Sequence, residues 1–152
     1  MRRAGKAAAS FLLTRTTRDA RIVLFAGPGN NGGDALACAA ELAAAGYSPE
    51  IVMLGTPETL PVDAHAAWLR ILELPSGSFA IRYAAPTKAI SADWIVDGLF
   101  GIGLKRPLDG AFSDAVRVIA DARNAGAKVL ALDAPSGIDA DTGALVGEAV
   151  VA

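Results

Sequence analysis

The sequence predicts an α/β fold: a mainly parallel sheet with helices on both faces. Three observations carry this. Short apolar runs alternate with helix-patterned segments along the whole chain, which implies crossover connections between parallel strands. The apolar runs are nearly continuous (Ile22-Val23-Leu24-Phe25-Ala26, Ile51-Val52-Met53-Leu54, Val129-Leu130-Ala131-Leu132), as in strands covered on both faces. Three loops rich in Gly, Asn, Asp and Ser each begin where such a run ends. In open parallel sheets, ligands sit beyond the carboxyl ends of the strands, so the loops predict one composite site.

The elements follow in order. Residues 2–13 read as a helix and 15–18 as a polar link into the first strand, 22–26. Residues 27–34, Gly-Pro-Gly-Asn-Asn-Gly-Gly-Asp, form a glycine-rich turn. A helix over 34–45 follows, with Glu41 as its only interior charge, and Gly46 is placed to end it. Residues 50–54 read as the second strand, stopped by Gly55 and Pro57. Residues 62–74 are helical by pattern, with Trp68, Leu69 and Leu72 on an apolar face and Asp63, Arg70 and Glu73 on a polar one. Residues 79–83 read as a short strand and 84–92 as a loop. Trp94-Ile95-Val96 is the next strand and delivers Asp97 to its end. A second unusual loop spans 97–108, and an amphipathic helix over 111–124 turns Phe112, Ala115, Val116, Ile119 and Ala122 inward. The strand 128–132 ends at Asp133, where a third loop, 134–143, turns away.

Composition bounds the function. The 152 residues fit one domain, and 53% hydrophobic against 20% charged residues argues for a well-buried globular fold. A net charge of −2 gives no electrostatic footprint for nucleic acid or an anionic membrane. The apolar runs are far shorter than the roughly 20 residues of a membrane span. The single cysteine, Cys38, excludes an internal disulfide and reads as a buried thiol, consistent with a cytoplasmic setting. His65 has no nucleophile or ligand motif beside it and reads as structural or surface.

The first loop matches the dinucleotide fingerprint G-x-G-x-x-G after a strand. A dehydrogenase, however, also places an acid at the end of the second strand for the adenosine ribose. Here Glu50 precedes that strand's core and Leu54-Gly55 occupies its end. A P-loop is excluded, because no Gly-Lys-Ser or Gly-Lys-Thr follows the glycines. Asn31, Asp97 and Ser136 bear amide, carboxylate and hydroxyl oxygens that suit a hard cation; local turn chemistry is the alternative reading of the same residues. Gly101-Ile102-Gly103 followed by Lys105-Arg106 reads either as an anion cradle or as a solvated basic turn. Asp133, at the end of a buried strand, sits where catalytic or ligand-orienting carboxylates are often found, and Asp139 and Asp141 read as a turn-stabilising pair.

Taken together, the segments 27–34, 97–104 (Asp-Gly-Leu-Phe-Gly-Ile-Gly-Leu) and 132–143 (Leu-Asp-Ala-Pro-Ser-Gly-Ile-Asp-Ala-Asp-Thr-Gly) resemble the signature of the YjeF N-terminal-domain family, the NAD(P)H-hydrate epimerases. Arg3-Ala4-Gly5-Lys6-Ala7-Ala8-Ala9 is similar to the helix before that family's first core strand. The resemblance implies a Rossmann-like three-layer αβα sandwich and a metabolite-repair isomerase that interconverts the R and S epimers of hydrated NADH and NADPH. It implies that Asn30, Asn31, Gly32, Gly33, Asp34, Gly101, Ile102, Gly103, Leu104, Lys105, Arg106, Pro107 and Asp133 hold the hydrate. It further implies that Asn31, Asp97 and Ser136 bind potassium.

Inversion at a hydroxyl-bearing carbon beside the ring nitrogen needs proton transfer at that oxygen, and Asp133 is the candidate general acid/base. Ala35 stands where the family often has glycine, and Arg2 where an acid is common. The family pattern begins earlier and continues into further strands, so the expectation is a single domain, residues 1–152, truncated at both ends. A fused or partner ADP/ATP-dependent hydrate dehydratase is a further expectation, and the exposed first helix is a candidate homodimer contact. The competing reading from another class is a catalytically silent nucleotide-binding or scaffold module; a hydride-transferring oxidoreductase is the third.

Overall fold

The computed structural model describes residues 2–85, 89–104 and 107–152. Its elements are α1 (Arg2–Leu13), β1 (Ile22–Ala26), α2 (Asn30–Ala44), β2 (Glu50–Met53), α3 (Val62–Leu72), β3 (Ala80–Arg82), β4 (Trp94–Gly98), α4 (Gly110–Asn124) and β5 (Lys128–Ala131). The strands form one five-stranded sheet in the order β3-β2-β1-β4-β5, and every pairing is parallel. The register sets Leu24 beside Ile51 and Val96, and Phe25 beside Val52 and Asp97.

Alternation along the strands sorts the core into two layers. Ile22, Leu24, Ala26, Ile51, Met53 and Val96 face α1, α2 and α3. Val23, Phe25, Val52 and Ile95 face α4 through Ala115, Val116, Ile119 and Ala122. This is a three-layer α/β sandwich of Rossmann type, as expected. The chain steps outward from β1 through β2 to β3, then returns to the other side of β1 for β4 and β5. That reversal makes a switch point between β1 and β4, where a crevice opens at the strand ends.

Two expectations change. The helix expected over 34–45 begins four residues earlier, at Asn30. Two asparagines and two glycines are poor helix formers, but packing holds them: Asn31, Gly32 and Gly33 are all buried. The apolar face of α3 is also rotated. It buries Ala64, Ala67, Trp68 and Ile71, while Leu69 and Leu72 are exposed. Small alanines let α3 approach the alanine-rich α2 closely, and the large leucines are left on the rim.

Glu50 lies at the amino end of β2, far from the loops. Its carboxylate meets Arg21, just before β1, at 3.2 Å and Arg82, the last residue of β3, at 3.0 Å, tying β2 to both neighbouring strands. Cys38 is fully buried in α2, as the sequence suggested.

Candidate active-site cleft

The three predicted loops leave the carboxyl ends of β1, β4 and β5 and meet. Between them lies a cleft of about 350 Å³ lined by Gly29, Asn30, Asn31, Leu99, Phe100, Gly101, Ile102, Gly103, Leu104 and Asp133. One wall is the start of α2. Its N-cap residue Gly29 has extended backbone, and the first intrahelical bond runs from the Gly33 N–H to the Gly29 carbonyl at 3.2 Å. The preceding N–H groups of the helix therefore have no helical acceptor, and with the helix dipole they favour an anion.

Beneath the cleft, β4 and β5 are joined by a buried polar knot. Asp97 is 0% and Ser136 1% exposed. The Asp97 carboxylate accepts from the Ser136 N–H at 2.8 Å and from the Leu99 N–H at 3.2 Å. The Ser136 hydroxyl lies 2.7 Å from Asp97 Oδ1 and 3.1 Å from the Phe100 carbonyl, either of which can take its one proton. That hydroxyl in turn accepts from the Phe100 N–H at 2.9 Å. Burial pushes the Asp97 carboxyl above its usual range, against the opposing pull of these hydrogen bonds.

Asn31, at the start of α2, lines the cleft. It is buried, and neither its side-chain oxygen nor its nitrogen has a hydrogen-bond partner. Its backbone carbonyl packs close to Gly98, the neighbour of Asp97 in β4. Buried amides are nearly always satisfied, so the orphaned Asn31 oxygen is the feature of this donor set that fits a hard cation best.

Asp133 stands at the cleft's mouth. It has a φ of 63° and is the one non-glycine residue with positive φ among those described. Aspartate tolerates this left-handed conformation better than most residues. The turn brings its Oδ2 to the Ile102 N–H at 2.9 Å. Gly101 is needed beside it, because a Cβ there would fall on the Asp133 carboxylate. Asp34, one turn into α2, has its carboxyl pushed above the ordinary value, chiefly by burial.

Of the residues singled out in the sequence, Asn30, Asn31, Gly101, Ile102, Gly103, Leu104 and Asp133 line the cleft. Gly32 and Gly33 are buried in the first turn of α2 behind it. Pro107 is exposed and packs near Gly147 instead. Lys105 and Arg106 lie outside the described residues. Phe100 was missed as a wall residue. It stacks edge-to-face on Phe112 of α4 with centroids 4.9 Å apart, and an aromatic ring inside a glycine-rich loop is a signal that could have found it.

Comparisons with known proteins agree with this architecture. The model of the family described as YjeF-related protein N-terminus matches residues 1–152. A protein of Bordetella pertussis (strain Tohama I) named NAD(P)H-hydrate epimerase is 44% identical over 148 residues, covering 97% of this chain and 61% of its own length. One of the same name from Levilactobacillus brevis is 42% identical over 137 residues, covering 87% of this chain and 58% of the relative. A Hyperthermus butylicus protein named bifunctional NAD(P)H-hydrate repair enzyme Nnr is 36% identical over the whole chain, which spans 28% of it. The crystal structure of yeast ynu0 superposes with a TM-score of 0.74 at 26% identity, covering 98% of this chain and 65% of that one. The chain thus spans about three fifths of the length of the first two relatives.

Proposed function

The chain belongs to the YjeF-related protein N-terminus family, and from that membership we propose that its cleft interconverts the R and S forms of hydrated NADH and NADPH. The observation that carries the reading is Asp133: a carboxylate fixed by the Ile102 N–H at the mouth of a cleft whose far wall is a helix N-terminus. The substrate supplies a phosphate for that N-terminus and a ring hydroxyl for the carboxylate.

Asp133 is exposed at the mouth of the cleft, with its Oδ2 held by the Ile102 N–H. It acts as base. Taking the proton from the ring hydroxyl lets that oxygen form a carbonyl as the adjacent carbon–nitrogen bond breaks. The electron pair stays on the ring nitrogen, delocalised into the conjugated carboxamide. Rotation and reclosure on the other face of the carbonyl, with the proton returned to oxygen, give the other epimer. The Phe100 wall and the Gly101–Leu104 turn limit how far the opened ring strays.

Asn31, Asp97 and Ser136 would hold potassium, which supplies a fixed positive charge beneath the cleft when bound. A dehydratase, fused or separate, would consume one of the two epimers. The test is to follow separated epimers of hydrated NADH with the purified chain in potassium and in sodium buffers. Equilibration no faster than without protein would reject the activity; tight binding with no turnover would make the chain a nucleotide-binding module.

A further inference from the structure

Resting on that activity, we infer that only the nicotinamide half of the dinucleotide is recognised, so that the hydrated reduced mononucleotide is itself a competent substrate. Two independent features of the structure carry this.

The first is the size of the cleft. At about 350 Å³ it lies at the small end of the roughly 300–1,000 Å³ typical of ligand pockets. A hydrated nicotinamide ring with its ribose and phosphate is of that size. The second nucleotide of NADH, with its own ribose, phosphate and adenine, adds a similar bulk that would extend beyond the cleft formed by the described residues. Its lining also matches one half-molecule: a helix N-terminus for one phosphate, one carboxylate for the ring hydroxyl, and an apolar wall of Leu99, Phe100 and Leu104 for the ring.

The second is the end of β2, where a dehydrogenase reads the adenosine ribose. Here the β1–β2 ladder continues past the strands, with the Leu54 N–H donating to the Ala26 carbonyl at 2.8 Å. Gly55 then packs on the glycine-rich loop so tightly that a Cβ would come within 2.9 Å of Pro28 Cα. The residues at that strand end, Leu54, Gly55 and Thr56, carry no acid to read the hydroxyls of an adenosine ribose. The adenosine half therefore leaves the cleft without being gripped at the usual place.

The experiment compares epimerisation of hydrated reduced nicotinamide mononucleotide with that of hydrated NADH by the same protein, and adds AMP as a competitor. The expected result is a kcat within about tenfold of that for hydrated NADH, with no inhibition by AMP at millimolar concentration. Turnover of hydrated NADH with a kcat/KM for the mononucleotide more than 100-fold lower would overturn the inference, as would competitive inhibition by micromolar AMP. Failure to turn over hydrated NADH at all would instead overturn the epimerase reading, and this inference with it.

Discussion

Replacing Asp133 by asparagine tests the proposed base separately from the loop contact that the same side chain makes. Asparagine has nearly the same size and shares aspartate's tolerance of the left-handed backbone that Asp133 occupies at φ 63°. Its carbonyl oxygen can still accept the Ile102 N–H now held at 2.9 Å. The stability change is therefore expected within about 0.5 kcal/mol, as for an exposed substitution without strain. At this chain length that moves Tm by only about 1–2 °C. Activity is another matter: the amide cannot take a proton, and losing a positioned general base typically costs about 10²–10⁴-fold, or roughly 3–5 kcal/mol of barrier. Asp133→Ala serves as the contrast. It adds a left-handed backbone penalty of about 1–2 kcal/mol, expected to lower Tm by roughly 2–8 °C. Epimer equilibration followed by chromatography gives the rates, and calorimetry the stabilities. Turnover by Asp133→Asn within threefold of the parent would refute the base assignment. A fall in Tm equal to that of Asp133→Ala would show that the carboxylate holds the loops rather than the proton.

Three further perturbations test other parts of the structure. If Asn31 helps to hold potassium, exchanging sodium for potassium at about ten times the dissociation constant adds roughly 1.4 kcal/mol, or about 3–6 °C in Tm; Asn31→Ala should abolish that difference, and an unchanged shift in the variant would remove Asn31 from the site. At the amino end of the sheet, burial raises the Glu50 carboxyl but hydrogen bonds and charges of Arg82 and Arg21 outweigh it and hold it below its ordinary value of 4.5. A depressed carboxyl stabilises the fold above its unfolded-state value and loses that contribution as pH falls through its folded-state value. Both arginines are about half exposed, so Glu50→Gln should cost only about 1 kcal/mol at pH 7 by urea unfolding, with the gap closing below about pH 4; a gap that persists at pH 3 would mean packing, not charge. Burial in α2 pushes the Cys38 thiol up to about 12, so its alkylation at pH 8 should proceed only as fast as the protein opens. Rapid labelling of the native chain would contradict the packing of α2.

What the sequence made legible was the ladder of strands and the loops that follow them. Apolar runs and glycines mark β1 and β4 almost to the residue, and parallel topology then obliges their carboxyl ends to share an edge. What stayed hidden depends on tertiary register. Asp97 and Ser136 are 39 residues apart, and only the pairing of Asp97 with Ala131 brings the third loop back to within a hydrogen bond of the second. Helix propensity argued against Asn30–Gly33 as helix, and burial against the sheet overrode it. The positive φ of Asp133 left no composition signal either, since aspartate is common in any turn.

These hidden contacts change what the glycine fingerprint means. In a dehydrogenase the same spacing opens a groove toward β2 for the adenosine. Here the Asn31 backbone carbonyl packs close to Gly98 of β4, while Gly55 packs against Pro28 on the other side. In the proposed reading the fingerprint supplies bare backbone and a helix dipole, and the ligand lies at the β1–β4 switch point, where the cleft is.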